Sequence, residues 1–203
     1  MARRKRFGLA VVAAAVVVAA AMGLSAPAHA GLLSCGGGTR VFAPWNDSSY
    51  YYLATNGGLE SGSLGWSLAG GASVVAGNEP FYASGSHSLA LPSGSTATSP
   101  ATCVGTLNDA IRMFGSDAGG TDGGLRVRVL WYGLLSNVLG ITDVGTFTPG
   151  GGWSPTARVG SLGGLPPLVP LLGSTSARIQ LTPVGAGSNW RIDDLYVDPF
   201  YCR

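Results

Sequence analysis

The sequence predicts an all-β domain on three observations. Glycine supplies 33 of the 203 residues, more than twice the usual share of about 7%, and this density favours tight turns over helix. After residue 30, no stretch of about a dozen residues combines helical spacing with good helix formers. Short stretches of alternating apolar residues recur at intervals of about eight to twelve residues, with turn signals between them. We therefore expect one β-sandwich of about eight to ten strands.

The start of the chain has the pattern of a signal peptide. Residues 3–6 are basic, residues 7–24 form an almost unbroken apolar run, and residues 28–30 (Ala-His-Ala) match a small-x-small cleavage site. The alternative is a membrane anchor, since the run is about long enough to span a bilayer, but the cleavage pattern argues for removal. We expect residues 1–30 to be cleaved, membrane contact only through this leader, and a secreted chain.

The expected mature chain forms one domain. Residues 31–55 are its N-terminal lead-in and first strand, and residues 56–203 are the sandwich. The whole chain has 12 basic and 10 acidic residues; four basic and no acidic residues lie in the leader, which leaves 8 basic against 10 acidic. The only lysine is Lys5, so the mature basic residues are all arginine. We expect no nucleic-acid partner, because such a partner requires clustered Lys and Arg.

Three cysteines follow the leader, and an exported chain can keep a disulfide. Our first choice of pair is Cys35 with Cys103, which leaves Cys202 unpaired; Cys35 with Cys202 is the competing pair, and spacing does not decide between them. The stretch Leu-Leu-Ser-Cys that ends at Cys35 also has the form of a lipobox. In that alternative, Cys35 would carry a lipid anchor.

The chain is organised around the stretch WRIDDLYVDP, residues 190–199. Trp190 and Ile192 share one parity, and Leu195 and Val197 share the other, so a flat strand with one buried face cannot hold all four inward. A β-bulge at the two aspartates between them would bring both pairs onto the core face. Buried carboxylates need a partner, which would be a cation, an arginine or backbone N–H groups.

Three further segments bear on the fold. Leu125–Tyr132 is the clearest strand, with one apolar face and two arginines on the other. Val138–Phe147 predicts a pair of strands broken at its glycines. Leu162–Leu172 is apolar but holds three prolines, which exclude both a helix and a central strand. We interpret it as a loop across one end of the sandwich, the alternative being an exposed surface for association.

Two motifs resemble a known family. NGGLESGSLGW, residues 56–66, and WRIDDLYVDP, residues 190–199, resemble the first and last strands of galactose-binding-like jelly rolls, a plan shared by many carbohydrate-binding modules. With FAPW, GNEPF and ATSPATCVG added, the chain is similar to a group of secreted actinobacterial proteins of unknown function. The resemblance implies a jelly-roll β-sandwich, whereas the activity has to be argued from a site.

The resemblance also implies a structural calcium ion. In the carbohydrate-binding relatives, a glutamate of the opening turn and an aspartate of the closing pair often hold calcium, and the matching residues here are Glu60 and Asp193 or Asp194. Calcium takes six to eight oxygen ligands, which carboxylates and turn carbonyls supply. The metal-free alternative is that Arg191, Arg178 or backbone amides satisfy the pair.

The residues offer little for catalysis. There is no Gly-x-Ser-x-Gly motif, and His87 is the only histidine after the leader. We interpret His87 as a surface residue in a turn, because a nucleophile and base adjacent on a strand should not face each other. A lone histidine and three scattered cysteines give no zinc-ligand spacing. We expect a chain that is not an enzyme.

Glycan binding requires exposed aromatic rings that stack on sugars. The candidates are Trp45, Tyr82, Tyr132 and Trp153, with Asn78, Glu79, Arg126 and Arg128 as polar neighbours. The sequence thus predicts a secreted, non-catalytic binding module for a carbohydrate, a cell-envelope glycan or another cell-surface component. The alternative is a structural or adhesive surface protein that acts through protein contacts at Leu162–Leu172.

Overall fold

The computed structural model describes residues 38–82, 84–102, 110–119, 123–133, 135–148, 150–160 and 176–198. Within these ranges the only helix is one 3-10 turn, Ala43–Trp45, and no helix is long and apolar enough to cross a membrane. The strands, numbered in chain order, are β1 (Tyr52–Leu53), β2 (Ser67–Ala69), β3 (Ser73–Ala76), β4 (His87–Pro92), β5 (Thr96–Thr98), β6 (Ala110–Asp117), β7 (Gly124–Tyr132), β8 (Val138–Phe147), β9 (Ser154–Pro155), β10 (Val159–Gly160), β11 (Ser176–Val184) and β12 (Asn189–Asp198).

The strands form two antiparallel sheets packed as a sandwich. One sheet has seven strands in the order β10-β6-β12-β4-β3, with β1 also paired to β12 and β9 to β6. The other has five strands in the order β2-β5-β11-β7-β8. The described chain begins and ends on the seven-stranded sheet, since Thr39 bridges Tyr51 beside β1 and Asp198 pairs with Ala110. The fold is an all-β jelly-roll sandwich, as the sequence predicted.

The main core lies between the two sheets, and both sheets contribute fully buried apolar side chains. Each such side chain contributes roughly 1.5–3 kcal/mol to folding. The core also holds Trp66, which follows the opening turn; its indole Nε1 donates to the carbonyl of Asn56 at 3.0 Å. Representative members are Leu89, Leu91, Ile111, Met113, Leu125, Val127, Ile179, Leu181 and Trp190.

The predicted bulge is present in β12. Asp193 pairs with Phe114 and Tyr196 with Arg112, so Asp194 and Leu195 together oppose a single residue of β6. Asp194 takes the left-handed conformation, with φ of 48°, which Asp tolerates better than most residues. The shift of one residue places Trp190, Ile192, Leu195 and Val197 in the core, each at most 2% exposed. The prediction that all four face inward is confirmed.

The opening turn is fitted against this bulge. The N–H of Ala54 donates to the carbonyl of Leu195 at 2.8 Å, and the N–H of Leu195 donates to the carbonyl of Gly57 at 3.2 Å. A Cβ at Gly57 would lie 2.7 Å from the Leu195 carbonyl oxygen, and one at Gly58 would lie 2.9 Å from Oδ1 of Asp194. The two glycines are therefore required by the close approach of the turn to β12.

Residues 38–51 cross the outer face of the seven-stranded sheet. Phe42 and Tyr51 from this segment are fully buried against Ala110 and Phe114 of β6. These β6 residues have the opposite parity to Ile111 and Met113, which face the main core. Both faces of β6 are consequently covered.

Several predicted elements differ in detail. Leu125–Tyr132 is confirmed as part of β7. Val138–Phe147 is one strand of ten residues and not a pair of strands. Its glycines, Gly145 and Gly140, pair with Val127 and Trp131, and the register of the β7–β8 pair shifts beside each of them without ending the strand. The expected eight to ten strands are twelve in the described ranges, because short edge pieces such as β9 and β10 pair separately.

Some predictions fall outside the described residues. These are the signal peptide (residues 1–30), the disulfide candidates Cys35 and Cys103 with Cys202, the lipid-bearing alternative at Cys35, and the segment Leu162–Leu172. Each stays a prediction.

Candidate functional site

Three of the four predicted ligand-binding residues lie together. Trp45, Tyr82 and Trp153 come from three separate segments and pack, half-buried, on the outer face of the seven-stranded sheet. We call this group the outer aromatic cluster. Its members are Val41, Phe42, Trp45, Tyr51, Tyr82, Ala110, Phe114, Trp153 and Tyr196.

The cluster is built around the Phe114 ring. The ring centroids of Trp45 and Tyr82 each lie 5.6 Å from that of Phe114, and both pairs are edge-to-face. Phe81 lies 5.3 Å from Phe114 and 5.1 Å from Trp45, and 39% of its surface is exposed. Offset and edge-to-face contacts of this kind fix ring orientation. The result is an ordered aromatic surface with Trp45 and Phe81 at its rim.

A buried ion pair anchors the lead-in segment beneath this rim. The Arg112 guanidinium donates to Asp47 Oδ2 at 2.7 Å and to the Thr156 carbonyl at 3.0 Å, and it lies 4.2 Å from the centroid of Phe42. Burial opposes ionisation of Asp47, but hydrogen bonds from Tyr51, Ser49 and Arg112 outweigh it and lower the Asp47 pKa to about 2. Charge-assisted bonds thus hold the segment that carries Trp45.

An open cavity lies on the same lead-in segment. Its volume is about 350 Å³, and Arg40, Ser48, Ser49 and Tyr50 line it. The Arg40 guanidinium lies 4.7 Å from the centroid of the Tyr50 ring, a cation–π contact that holds the cationic group in place. The cavity offers a guanidinium and hydroxyl groups to a polar ligand group.

Tyr132 is not part of this surface. It lies at the end of β7 on the five-stranded sheet, where the Arg178 guanidinium lies 5.4 Å from its ring centroid. Among the polar neighbours expected at one glycan site, Arg126 and Arg128 also lie on β7, whereas Asn78 and Glu79 lie beside Tyr82. The single predicted site is therefore divided between two sheets.

The closing aspartates are buried together with Glu79, which sequence reasoning did not associate with them. Asp193 accepts the N–H of Glu79 at 3.1 Å and the N–H of Asp194 at 2.8 Å. Among the residues that the structure describes, Asp194 accepts one long bond, from the Tyr196 hydroxyl at 3.4 Å. Burial is the main cause that raises the pKa of Asp193 to about 7 and that of Asp194 to about 6.

Of the predicted partners, backbone amides bind Asp193, and neither of the two suggested arginines binds the pair. The Arg191 guanidinium donates to the Ser88 hydroxyl and the Ala76 carbonyl, and that of Arg178 donates to the Ser99 carbonyl. The suggestion that either arginine satisfies the aspartates was wrong, because both side chains bind strand backbone or hydroxyl groups elsewhere.

Glu60 forms its hydrogen bonds at the start of β4 and not with the aspartates, although its charge is one of the smaller causes that raise the Asp194 pKa. Its carboxylate accepts the N–H groups of Ser86 at 2.8 Å and His87 at 2.9 Å. The hydrogen bond from the Ser86 N–H, more than any other contact, lowers the Glu60 pKa to about 2. Glu60 therefore joins the opening turn to the start of β4.

The carboxylates match calcium in chemistry but not in arrangement. Carboxylate oxygens suit calcium, yet the described residues contain no group of three His, Cys, Asp or Glu side chains placed to hold a metal ion. The Glu60 carboxylate accepts hydrogen bonds from the N–H groups of Ser86 and His87, while Asp193 and Asp194 lie with Glu79. Calcium at Glu60, Asp193 and Asp194 stays a prediction, and no function is derived from it.

Ser86, His87 and Glu60 meet on the surface, contrary to the expectation that neighbours would not face each other. Ser86 Oγ lies 2.9 Å from His87 Nδ1 and donates to Glu60 Oε2 at 3.0 Å. This contact arises because Ser86 precedes the first residue of β4. Serine and carboxylate both approach the same ring nitrogen, Nδ1, whereas a nucleophilic relay uses the two nitrogens for the two partners. The cluster is a surface hydrogen-bond network.

Comparison with known structures finds carbohydrate-binding modules. The CBM22-1 xylan-binding domain of Paenibacillus barcinonensis Xyn10C has a TM-score of 0.48 and 14% identity over 74% of this chain and 94% of that one. TmCBM61, in complex with β-1,4-galactotriose, has a TM-score of 0.48 and 16% identity over 70% of this chain and 94% of that one.

A phage protein with an enzymatic domain is similar to the same extent. The enzymatically active domain of bacteriophage CBA120 tailspike protein 4 has a TM-score of 0.47 and 16% identity over 70% of this chain, but only 20% of that one. No protein-family model and no curated protein matches the chain. At these TM-scores and identities, the neighbours assign neither a family nor a ligand to it.

Proposed function

We propose that the protein is an exported, non-catalytic binding module for a carbohydrate of the cell envelope or the surroundings. The observation that carries the proposal is the outer aromatic cluster, in which Trp45, Tyr82 and Trp153 pack from three segments against one group of buried residues that includes Phe42 and Phe114. Aromatic faces held rigidly at a surface bind the apolar faces of sugar rings with little loss of conformational entropy. Export is inferred from the leader sequence.

The surroundings of the rim supply polar groups as well. Trp45 and Phe81 form the exposed edge, and the cavity lined by Arg40, Ser48 and Ser49 lies on the same lead-in segment as Trp45. Ligand sites of this type combine an apolar surface with a few placed polar groups. A saccharide longer than one ring would contact both features.

The test is binding of the mature protein to an array of neutral glycans, followed by calorimetry with xylan and β-1,4-galactan oligosaccharides. We expect Phe81→Ala and Trp45→Ala to weaken binding by about tenfold or more, as loss of an aromatic anchor does. Tyr132→Ala, on the other sheet, is the matched control and should bind normally. The length of the bound oligosaccharide should stay unchanged on incubation.

The proposal fails if no neutral glycan binds, or if Tyr132→Ala weakens binding as much as Phe81→Ala. Because Phe81 is partly exposed, its replacement should preserve the fold. A thermal unfolding midpoint within a few degrees of that of the unmodified protein verifies this, so a loss of binding can be read as a loss of contact.

A second function, adhesion through protein contacts, is favoured by a different surface. β8 is the outer strand of the five-stranded sheet, and no described strand pairs with its second edge. Leu135, Val138, Leu139 and Ile141 on and beside it are 89%, 47%, 40% and 56% exposed. A long edge strand with apolar side chains is a template for pairing. We propose a second copy of this chain as the partner in this alternative.

Sedimentation velocity over a range of concentrations tests the alternative. Pairing through β8 predicts a mass that rises with concentration, and Ile141→Lys should abolish the rise because it places a charge in the paired edge. Thr146→Lys adds the same charge on the same strand, away from the apolar residues, and should keep the rise. A strict monomer at high concentration excludes this form of association.

A further inference from the structure

The outer face of the five-stranded sheet carries a concentration of arginine. Arg126 and Arg128 alternate with buried residues on β7, so both point outward, and Arg178 on β11 pairs with Leu130 on the same face. The side chains of Arg126 and Arg128 are 41% and 34% exposed. Three of the eight arginines outside the leader thus share one face, although the expected mature chain has only 8 basic residues against 10 acidic ones.

The carboxylate of Asp143 lies close to two of these arginines, Arg126 and Arg128. Asp143 on β8 lies with Oδ2 3.6 Å from Nε of Arg126 and 3.6 Å from Nε of Arg128. Its side chain is 53% exposed, and exposed pairs of this geometry contribute only about 0–1 kcal/mol. The guanidinium groups therefore keep most of their capacity to bind an external anion.

Neutral hydrogen-bonding groups continue the face next to the arginines. Gln180 pairs with Arg128 and Thr182 with Arg126 across β11. Beyond them, Gln180 Nε2 donates to Thr98 Oγ1 at 3.5 Å, and Thr182 Oγ1 lies 3.5 Å from Thr96 Oγ1. These long contacts leave amide and hydroxyl groups able to bond to a ligand.

We infer that this face, named here the arginine face, binds an acidic polysaccharide through its carboxylates. Arg126 and Arg128 bind the carboxylates, and the threonines and Gln180 bind the hydroxyl groups of the neighbouring sugar residues. Guanidinium matches carboxylate geometry with two donors. The inference rests on the proposed function in taking a glycan as ligand, but it places a charged glycan on the sheet opposite the outer aromatic cluster.

The arrangement favours an acidic glycan over a nucleic acid. Non-specific nucleic-acid binding depends on many phosphate contacts and on rings that stack with bases. The arginine face offers three guanidinium groups and one aromatic side chain, Tyr132, already contacted by Arg178. A row of hydroxyl and amide groups beside two arginines suits a polyhydroxylated chain with spaced carboxylates.

The test is calorimetry of the mature protein with polygalacturonate oligosaccharides at low salt. We expect the double variant Arg126→Gln/Arg128→Gln to lose about tenfold or more in affinity, since both charge-assisted contacts are removed. Arg191→Gln removes an arginine charge from β12 of the other sheet and should bind normally. Equal losses in the double variant and in Arg191→Gln would overturn the inference, because net charge alone would then explain the binding.

Two further arms separate this inference from the proposed function. Trp45→Ala should keep polygalacturonate binding while losing neutral glycans; if it loses polygalacturonate as well, the arginine face is not the site. A third outcome is that polygalacturonate binding depends on Arg126 and Arg128 while no neutral glycan binds. This inference then stands, and the proposal that the outer aromatic cluster binds a neutral glycan fails. Displacement of polygalacturonate by an equal charge concentration of polyphosphate would show a general polyanion surface and overturn the assignment to carboxylates.

Discussion

Replacement of Arg112 by methionine is expected to lower the free energy of unfolding by about 3 kcal/mol. Methionine preserves much of the apolar stem but leaves the Asp47 carboxylate, which is held ionised, without its cationic partner. The bond to the Thr156 carbonyl and the contact with the Phe42 ring are lost together with it. The measurement is urea unfolding at pH 7, followed by tryptophan fluorescence.

Arg126→Met is the matched control for this change. Arg126 lies on a strand as Arg112 does, but its side chain is 41% exposed and its nearest carboxylate oxygen is 3.6 Å away, so a loss of about 1 kcal/mol or less is expected. If the two variants unfold at the same urea concentration, the Arg112–Asp47 pair does not hold the lead-in segment. Adding Asp47→Asn to Arg112→Met should recover part of the loss, because the unpaired charge is removed.

Stability in the presence of a chelator is expected to fall by about 3 kcal/mol or more between pH 4 and pH 7, given about 1.4 kcal/mol per pKa unit. Burial raises the pKa of Asp193 to about 7 and that of Asp194 to about 6. Well below pH 3.8, the ordinary aspartate pKa, both carboxyls are protonated in both states. As the pH rises, the unfolded chain releases these protons first, so unfolding becomes easier until the folded carboxyls also ionise. The measurement is the urea midpoint at pH 4, 5, 6, 7 and 8.

The low-pKa carboxylates act in a separate pH range. Asp47 and Glu60, each with a pKa lowered to about 2, add stability that is present above their unfolded pKa and lost as the pH falls towards 2. Stability should therefore be highest near pH 4 to 5. A flat profile from pH 4 to pH 8 would contradict the prediction for the buried pair.

Asp194→Asn and calcium provide the controls. Asparagine tolerates the left-handed conformation of Asp194 and cannot ionise, so the variant should unfold at higher urea than the unmodified protein at pH 8 and show a smaller decline. Calcium bound to the ionised pair would raise the midpoint at pH 8, and this rise should disappear in Asp194→Asn. If calcium has no effect while the decline remains, the metal prediction fails and the burial of charge stands.

The bulge in β12 could be predicted because the alternation of apolar residues along this strand indicates it. The change of parity between Ile192 and Leu195 has one economical solution in a strand with a single buried face, and two aspartates mark its position. The same reasoning succeeded for β7, where Leu125, Val127 and Val129 alternate with Arg126 and Arg128. Period-2 patterns predict which face of a strand is buried without reference to the rest of the chain.

The partners of charged residues could not be predicted in the same way. Glu79 meets Asp193 across 114 positions of sequence, and Arg112 meets Asp47 across 65. Such contacts depend on which loops cover the outer face of a sheet. The sequence pattern of a single strand does not indicate which loops these are. The resemblance that paired Glu60 with the aspartates was reasonable from motif spacing, yet Glu60 caps the start of β4. One signal was present for Glu79, which Pro80 follows in a tight turn. Such a turn exposes N–H groups that the glutamate's own carboxylate can accept, here those of Phe81 and Tyr82.

Some members of the outer aromatic cluster could be predicted from the sequence, but their common location could not. Trp45, Tyr82 and Trp153 were singled out one by one as rings not consumed by the core, but composition could not show that they share a surface while Tyr132 lies on the other sheet. Phe114 was missed because the parity of β6 is ambiguous: Ile111 and Met113 face the main core, and Phe114 faces outward. Phe81 was missed because it lies outside any strand, in the segment before β4, where no alternating pattern applies. A strand buried on both faces has no polar side to reveal its orientation.

Both ends of the described chain belong to the seven-stranded sheet. Thr39 is exposed, and it is hydrogen-bonded to Tyr51 on that side of the sandwich. A fluorescent label attached at Thr39 would therefore lie on the side opposite the arginine face. A ligand that quenches this label would be bound on the aromatic side, and an acidic glycan on the arginine face would leave the emission of the label unchanged.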